Sequence, residues 1–238
     1  DLASRLSFFL WGTGPDEELL QLAVAENLSD SRVLEQQVER MLAGPRAEAL
    51  ATRFASQWLR LQDADKNSPD GYLYPDFTGQ LRGDMVRETQ LLFDYLVRED
   101  RSLLELITAD YTFINERLAR HYGIPGVAGA EFRRVEYPDA TRRGVLGHGS
   151  ILLLTSMSNR TSPVLRGKWV MEVLMGAPPP PPPPDVPSFE TTESSAGGRL
   201  LTTRERMEEH RSNPTCNACH RLMDPRGLAP ETFRVRGQ

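Results

Sequence analysis

The sequence predicts a mainly α-helical protein: a helical bundle followed by a smaller helical domain. Apolar residues recur at helical spacing through almost all of residues 2–122. Residues typical of helix starts and helix ends fall between these apolar segments. Residues 124–140 break the pattern with two glycines and two prolines. We therefore predict one helical domain at residues 1–127 and a second at residues 138–238.

The first domain opens on the amphipathic segment 2–11 and continues with three predicted helices. Pro15 precedes three acidic residues, which favour the N-terminal end of a helix dipole. Asp30 is a suitable cap for the next helix, and Gly44-Pro45 separates that helix from a third at residues 46–61.

A longer helix is predicted at residues 76–97 on the spacing of its apolar residues. Its carboxylates Asp84 and Glu88 lie four residues apart, and we expect them on a solvated face. Another helix, residues 115–122, should end at Gly123, because glycine adopts the left-handed conformation of a helix C-cap most easily.

The loop-like segment at residues 124–140 contains one predicted strand at residues 132–137, and the second part follows it. Helical segments follow near residues 142–154 and 163–175. Seven consecutive prolines at residues 178–184 must form a stiff polyproline II rod, which we interpret as a spacer rather than a ligand for aromatic grooves. A further helix at residues 200–211 should lead into the motif described next.

Composition excludes some classes of function. The formal net charge is −5, so composition gives no electrostatic support for a nucleic-acid partner. The longest apolar runs, such as Ile151 to Leu154, are far shorter than the roughly 20 residues of a membrane helix, and we expect no membrane insertion. Because the sequence starts at Asp1, we interpret it as a processed or excised piece of a longer protein.

The motif that carries chemistry is Cys216-Asn217-Ala218-Cys219-His220, which contains the only two cysteines. This spacing is that of c-type haem attachment. On a short helix, which Asn213-Pro214 should start, both thiols can add to the vinyl groups of one haem. The adjacent imidazole of His220 then lies under the iron as its proximal ligand. The sequence predicts one covalent haem c.

Three other interpretations of the two cysteines stay open. A thioredoxin-like dithiol needs a strand-helix-strand context that this helical chain does not offer. A structural zinc site would need two further ligands, for which His210 and His220 are candidates. A plain disulfide would leave the position of His220 unexplained.

The haem iron would also need a sixth ligand or an open site. His210 and Met157 are the two candidates for the distal position, and His148 is a weaker one. Met223 follows His220 by three residues, so it lies on the proximal side and is a wall or core residue. His121 ends a helix of the first domain, where a cation complements the dipole, and we interpret it as a cap.

Haem propionates favour cationic partners, and the segment from Arg160 to Trp169 supplies three cations. We take Arg160 and Arg166 as candidate cofactor-binding residues. Trp169 fits equally well as a core side chain or as a ring that faces the haem.

Four long segments carry a resemblance to a known family. They are Phe8 to Leu20, Asp110 to Ala119, Arg160 to Trp169 and Cys216 to Pro225. Together they resemble the planctomycete-type secreted cytochrome-like domain family, as two consecutive modules over nearly all 238 residues. The resemblance implies a large, secreted, multidomain parent protein with a Cys-x-x-Cys-His haem site, and it implies no particular reaction.

The resemblance can be carried over residue by residue. The family's haem motif falls on Cys216, Cys219 and His220, and its following Met-Asp-Pro-x-Gly falls on Met223 to Gly227. A His-Arg pair before the first cysteine matches His210 and Arg211, which favours His210 over Met157. The family usually continues with Phe-Ala-Leu-Glu where this chain has Leu-Ala-Pro-Glu, and a further C-terminal module is not matched.

The expected function is extracytoplasmic electron transfer by one-electron cycling of the haem. The expected partners are a redox protein or other domains of a larger parent chain. The alternative is a haem-dependent oxidoreductase, peroxidase-like or substrate-oxidising, with an open iron site; a third class is an interaction module with a structural haem. Because haem c is attached outside the cytoplasm, we expect a periplasmic or secreted location.

Overall fold

The computed structural model describes residues 1–180 and 214–228, with the side chains of 217, 220–225 and 227 in the second range. Ten α-helices lie in these ranges: α1 Leu2–Trp11, α2 Glu17–Val24, α3 Ser31–Ala43, α4 Ser56–Trp58, α5 Gly79–Arg98, α6 Glu105–Thr108, α7 Glu116–Tyr122, α8 Gly149–Leu154, α9 Pro163–Trp169 and α10 Pro214–Leu228. Short 3-10 turns occupy residues 27–29, 45–47, 61–66 and 145–147, and π-helical turns occupy Leu50–Ala55 and Val170–Leu174. The predicted mainly helical class is confirmed.

The helix caps follow the local chemistry of the sequence. The side chains of Asp16, Asp30 and Asn115 each accept a hydrogen bond from a backbone N–H in the first turn of α2, α3 and α7. Gly123 ends α7 with φ of 71°, the left-handed conformation that glycine adopts without steric cost. These predicted helix starts and ends are confirmed.

The helix predicted at residues 46–61 is confirmed in part: the chain is helical from Pro45 to Trp58, but not as one regular α-helix. The chain forms a 3-10 turn, then a wide π-turn at Leu50–Ala55, then the single turn of α4. The hydroxyls of Thr52 and Ser56 bond to carbonyl oxygens of the preceding turn, which competes with regular α-helical hydrogen bonds. Arg60 then turns the chain with φ of 59°. The apolar spacing predicted a helix here but not the changes of helix type.

A single two-stranded sheet stands beside α5 in the part that the structure describes. Strand β1, Tyr111–Ile114, pairs antiparallel with strand β2, Arg133–Glu136, with Tyr111 opposite Glu136. The strand predicted at residues 132–137 is therefore confirmed. Strand β1 was not predicted, because its four residues lie directly between two helical segments.

The main hydrophobic core contains residues from both predicted domains. Side chains of α1, α2, α3 and α5, such as Leu10, Leu19, Met41 and Leu92, form one cluster with Ile151, Trp169 and Val173 from the second half. A smaller cluster of Leu81, Met85, Ile114, Leu118, Ala119, Ile124 and Tyr137 lies between α5, α7 and the sheet. The domain division stays a prediction, and the packing places residues 145–174 against the first-half helices.

Three predicted features of the second half have different outcomes. The helices predicted near residues 142–154 and 163–175 are found as α8 and α9, each extended by a short turn of another helix type. The predicted helix at 200–211 and all but the first three residues of the proline rod lie outside the described residues. Within residues 1–180 and 214–228, no helix is both long enough and apolar enough to cross a membrane.

Candidate functional site

The Cys-x-x-Cys-His motif lies on helix α10. The helix begins at Pro214, as the sequence predicts, because proline has no N–H to lose at a first helical position. Positions 219 and 220 follow position 216 by three and four residues, so both lie on the same side of the helix as position 216. The local fold therefore brings the motif's three positions to one side of a single element.

His220 forms a hydrogen bond with the carboxylate of Asp224, one turn further along α10. The distance between Nδ1 of His220 and Oδ1 of Asp224 is 3.0 Å. The His220 side chain is 15% exposed, and the Asp224 side chain is fully buried. A carboxylate on one ring nitrogen fixes the orientation of an imidazole and directs the other nitrogen, Nε2, toward a metal.

Helix α10 packs closely against α9 through glycines. A Cβ atom placed on Gly167 of α9 would lie 2.0 Å from the carbonyl oxygen of Met223, and one on Gly227 would lie 1.7 Å from the carbonyl oxygen of Pro163. No other residue type fits these positions without moving a backbone. The contact buries Met223, as predicted for a wall or core residue.

Arg166 strengthens the same contact from α9. It is 1% exposed, and its Nε donates a hydrogen bond of 2.8 Å to the carbonyl oxygen of Gly227. That carbonyl is among the last four of α10, which have no partner inside the helix. Arg166 thus stabilises the C-terminal end of α10, and its role toward a propionate stays a prediction.

The other candidates for contact with the haem lie before or within α9, or outside the described residues. Met157 is 39% exposed in the turn before α9, where its N–H bonds to the carbonyl oxygen of Arg160. Trp169 packs in the main hydrophobic core. His210 lies outside the described residues. The structure therefore shows Met157 as a partly exposed turn residue, and the distal ligand stays a prediction.

His148 is not on the same site as His220. It is fully buried, and its Nδ1 lies 2.8 Å from Oγ1 of Thr89, which also contacts Oγ of Ser150 at 2.8 Å. His121, in contrast, lies in the last turn of α7 beside the ring of Tyr122, where it was predicted as a cap. His148 therefore belongs to a buried polar cluster that the sequence did not predict.

Glu88 is at the centre of this buried cluster. The expectation that Asp84 and Glu88 lie on a solvated face is wrong, because Asp84 is 9% exposed and Glu88 is 0% exposed. The hydroxyls of Thr112 and Tyr122 each donate a 2.6 Å hydrogen bond to the Glu88 carboxylate. Strand β1 and helix α7 cover this face of α5, and no spacing rule within α5 predicts that cover.

Burial changes the pKa values of Glu88 and His148 in the cluster. Removal from water raises the pKa of Glu88 to about 7, although its two hydrogen bonds act in the opposite direction. Burial, together with the nearby charge of Arg142, lowers the pKa of His148 to about 3. The Nε2 of His148 lies 3.9 Å from Oε1 of Glu88, and with a neutral imidazole this pair is not an ion pair near pH 7.

The residues of α10 that the structure describes fit a histidine-ligated metal group. His220 has the carboxylate partner that metal-binding histidines commonly have, and it is held on a helix anchored by α9. Within the described ranges, no group of three or more His, Cys, Asp or Glu side chains is placed to hold a metal ion. A group that brings its own ligands to the iron, as haem does, needs only one or two from the protein.

Two family models match the chain. The model described as PSD4, protein of unknown function (DUF1592), matches residues 1–124. The chain belongs to the PSD4 family. The model described as PSCyt3, protein of unknown function (DUF1588), matches residues 142–238 and therefore includes the Cys-x-x-Cys-His motif. These two families are found in planctomycete-type cytochrome c domain proteins. No curated protein and no solved structure is detectably similar to the chain.

The buried polar cluster joins the two matched regions. Glu88, Thr112 and Tyr122 lie in the PSD4 match, whereas His148 and Ser150 lie in the PSCyt3 match. The hydrogen bond between Thr89 and His148 crosses from one region to the other. The two matches thus contact each other through buried polar groups as well as through the main hydrophobic core.

Proposed function

We propose that the chain binds one haem c covalently through Cys216 and Cys219, with His220 as the proximal iron ligand, and acts in electron transfer outside the cytoplasm. The observation that carries this proposal is the hydrogen bond between His220 and the buried Asp224. It gives the histidine of the motif the orientation that a metal ligand needs. When bound, the haem supplies one-electron exchange between its ferric and ferrous states.

The chain's own residues hold the proximal ligand in place. The PSCyt3 match covers the motif and the helix that carries it. Helix α9 fixes α10 through Gly167, Gly227 and Arg166, so the proximal ligand lies on a rigid element. Attachment of haem c takes place outside the cytoplasm, and we therefore propose a periplasmic or secreted location. A redox protein, or another domain of a longer parent chain, is the proposed partner.

The test is co-expression of the exported chain with a c-type cytochrome maturation system. We expect one haem that stays with the protein in denaturing gel electrophoresis, with the added mass of one haem in mass spectrometry. The double variant Cys216→Ala/Cys219→Ala should lose it completely. His220→Gln should change the visible spectrum, whereas the matched control His121→Gln should leave it unchanged. A wild-type chain without covalent haem would contradict the proposal.

The alternative function is a haem-dependent oxidoreductase, in which the sixth position of the iron is open. The 39% exposure of Met157, one of the two candidate sixth ligands, is compatible with such a site. Visible spectra of the matured protein with added cyanide and carbon monoxide distinguish the two functions. A spectrum that these ligands do not change supports electron transfer, and ready binding of both ligands supports the oxidoreductase.

A further inference from the structure

We propose that Asp224 is a positioning residue that increases electron donation from His220 to the haem iron and so favours the ferric state. This inference rests on the proposed function. Nothing in the Cys-x-x-Cys-His motif itself specifies what the second ring nitrogen of the histidine contacts. In this chain the partner is a carboxylate four residues later on the same helix.

The geometry of the pair leaves Asp224 little freedom to move away. Its side chain is fully buried, and its neighbours in sequence take part in the close contact between α9 and α10. The Met223 carbonyl lies against Gly167, and Gly227 lies against Pro163. A residue fixed on both sides by a backbone contact keeps its carboxylate at the imidazole in either redox state.

The effect of Asp224 on electron donation by His220 follows from the negative charge of its carboxylate. A carboxylate that accepts the Nδ1–H bond gives the imidazole partial anionic character and makes Nε2 a stronger donor. A neutral acceptor, such as a backbone carbonyl, does this less. Stronger donation stabilises ferric over ferrous iron, and second-sphere hydrogen bonding is one of the protein's main means of tuning haem potentials. Burial increases the effect because water does not screen it.

The experiment is a potentiometric titration, followed by visible spectroscopy, of the full-length matured wild type and its Asp224→Asn variant. Asparagine keeps an oxygen at the same place but removes the charge. We expect at least a tenfold higher ferrous-to-ferric ratio at a fixed ambient potential, which for a one-electron couple corresponds to a rise of about 59 mV. Asp100→Asn makes the same chemical change at an exposed position with φ of 46°, which asparagine tolerates, and it should not shift the potential.

The outcomes separate the inference from the proposed function. If the wild type attaches no haem, the proposed function fails. If haem is attached and Asp224→Asn has the potential of the wild type, this inference alone is overturned. If the variant does not fold, nitrogen-15 NMR of the diamagnetic ferrous wild type measures the chemical shift of Nδ1 of His220 instead. A shift toward that of an imidazolate nitrogen supports the inference, and the shift of a proximal histidine that bonds to a backbone carbonyl overturns it.

Discussion

Replacing Gly167 with alanine is expected to separate helix α10 from α9 and to destabilise the chain by about 1–3 kcal/mol, the usual cost of overpacking. The new methyl group would lie 2.0 Å from the carbonyl oxygen of Met223, and 2.7 Å from its carbonyl carbon. Both are backbone atoms, so no side-chain rotation relieves the clash. Urea unfolding of the full chain, followed by tryptophan fluorescence, measures the loss.

The chain offers a matched control for this prediction. Gly83 lies inside helix α5, and a Cβ atom there would meet nothing within 4 Å. Gly83→Ala should therefore stabilise the protein by about 0.5–1 kcal/mol, because alanine loses less backbone entropy in a helix. Opposite signs for the two substitutions support the close contact between α9 and α10. A Gly167→Ala variant as stable as the wild type would show that the two helices do not approach as closely as described.

Replacing Glu88 with glutamine is expected to change how stability depends on pH. Burial raises the pKa of Glu88 from 4.5 to about 7, so the folded state binds this proton more tightly than the unfolded state does. Its contribution to stability is fully present below pH 4.5 and is lost as the pH rises through 7. The stability of Glu88→Gln minus that of the wild type should therefore rise by about 3 kcal/mol between pH 4.5 and 7.

The contribution of His148 to stability should depend on pH in the opposite direction. Its pKa is lowered from 6.5 to about 3, so the unfolded state binds this proton more tightly. Its contribution is present above pH 6.5 and is lost as the pH falls toward 3. The stability of His148→Gln minus that of the wild type should therefore rise by about 2 kcal/mol as the pH falls from 6.5 to 4.5. In the wild type the two contributions largely offset each other over this interval.

Urea unfolding of the wild type and of both variants at each pH measures these two stability differences. Glu131→Gln removes an exposed carboxylate and is the control for the loss of one negative charge. If the stability of Glu88→Gln minus that of the wild type does not change between pH 4.5 and 7, this carboxyl group is solvated, as the sequence alone indicated. If the stability of His148→Gln minus that of the wild type does not change with pH, the imidazole of His148 is in contact with water in the wild type.

Local chemistry made the helix boundaries predictable, and tertiary contacts made the buried polar cluster unpredictable. Asp30 and Asn115 form caps with residues only two or three positions away, so the sequence contains all the information. Glu88 is buried by a strand and a helix more than twenty residues further along the chain. Spacing within one helix shows which residues share a face, and it does not show whether another element covers that face.

In the candidate site, too, the local features were predictable from the sequence and the tertiary contacts were not. The motif itself, and the start of its helix at Pro214, followed from the sequence. The pairing of His220 with Asp224 had a readable signal, because a residue four positions later lies over the same helix face. The close approach of α9 to α10 had no signal in the sequence, since glycine at residues 167 and 227 fits an open surface as well as a tight contact.

The hydrogen bond from Arg166 to Gly227 joins residues 61 positions apart. Closing a loop of that length costs about 4 kcal/mol of chain entropy before any contact between α9 and α10 is gained. We therefore expect α10 to dock late in folding, after the N-terminal helices, whose contacts are more local. Until α10 docks, an attachment enzyme meets the motif on a segment that α9 does not yet hold in place. The order of folding thus determines whether maturation acts on a free segment or on a packed helix.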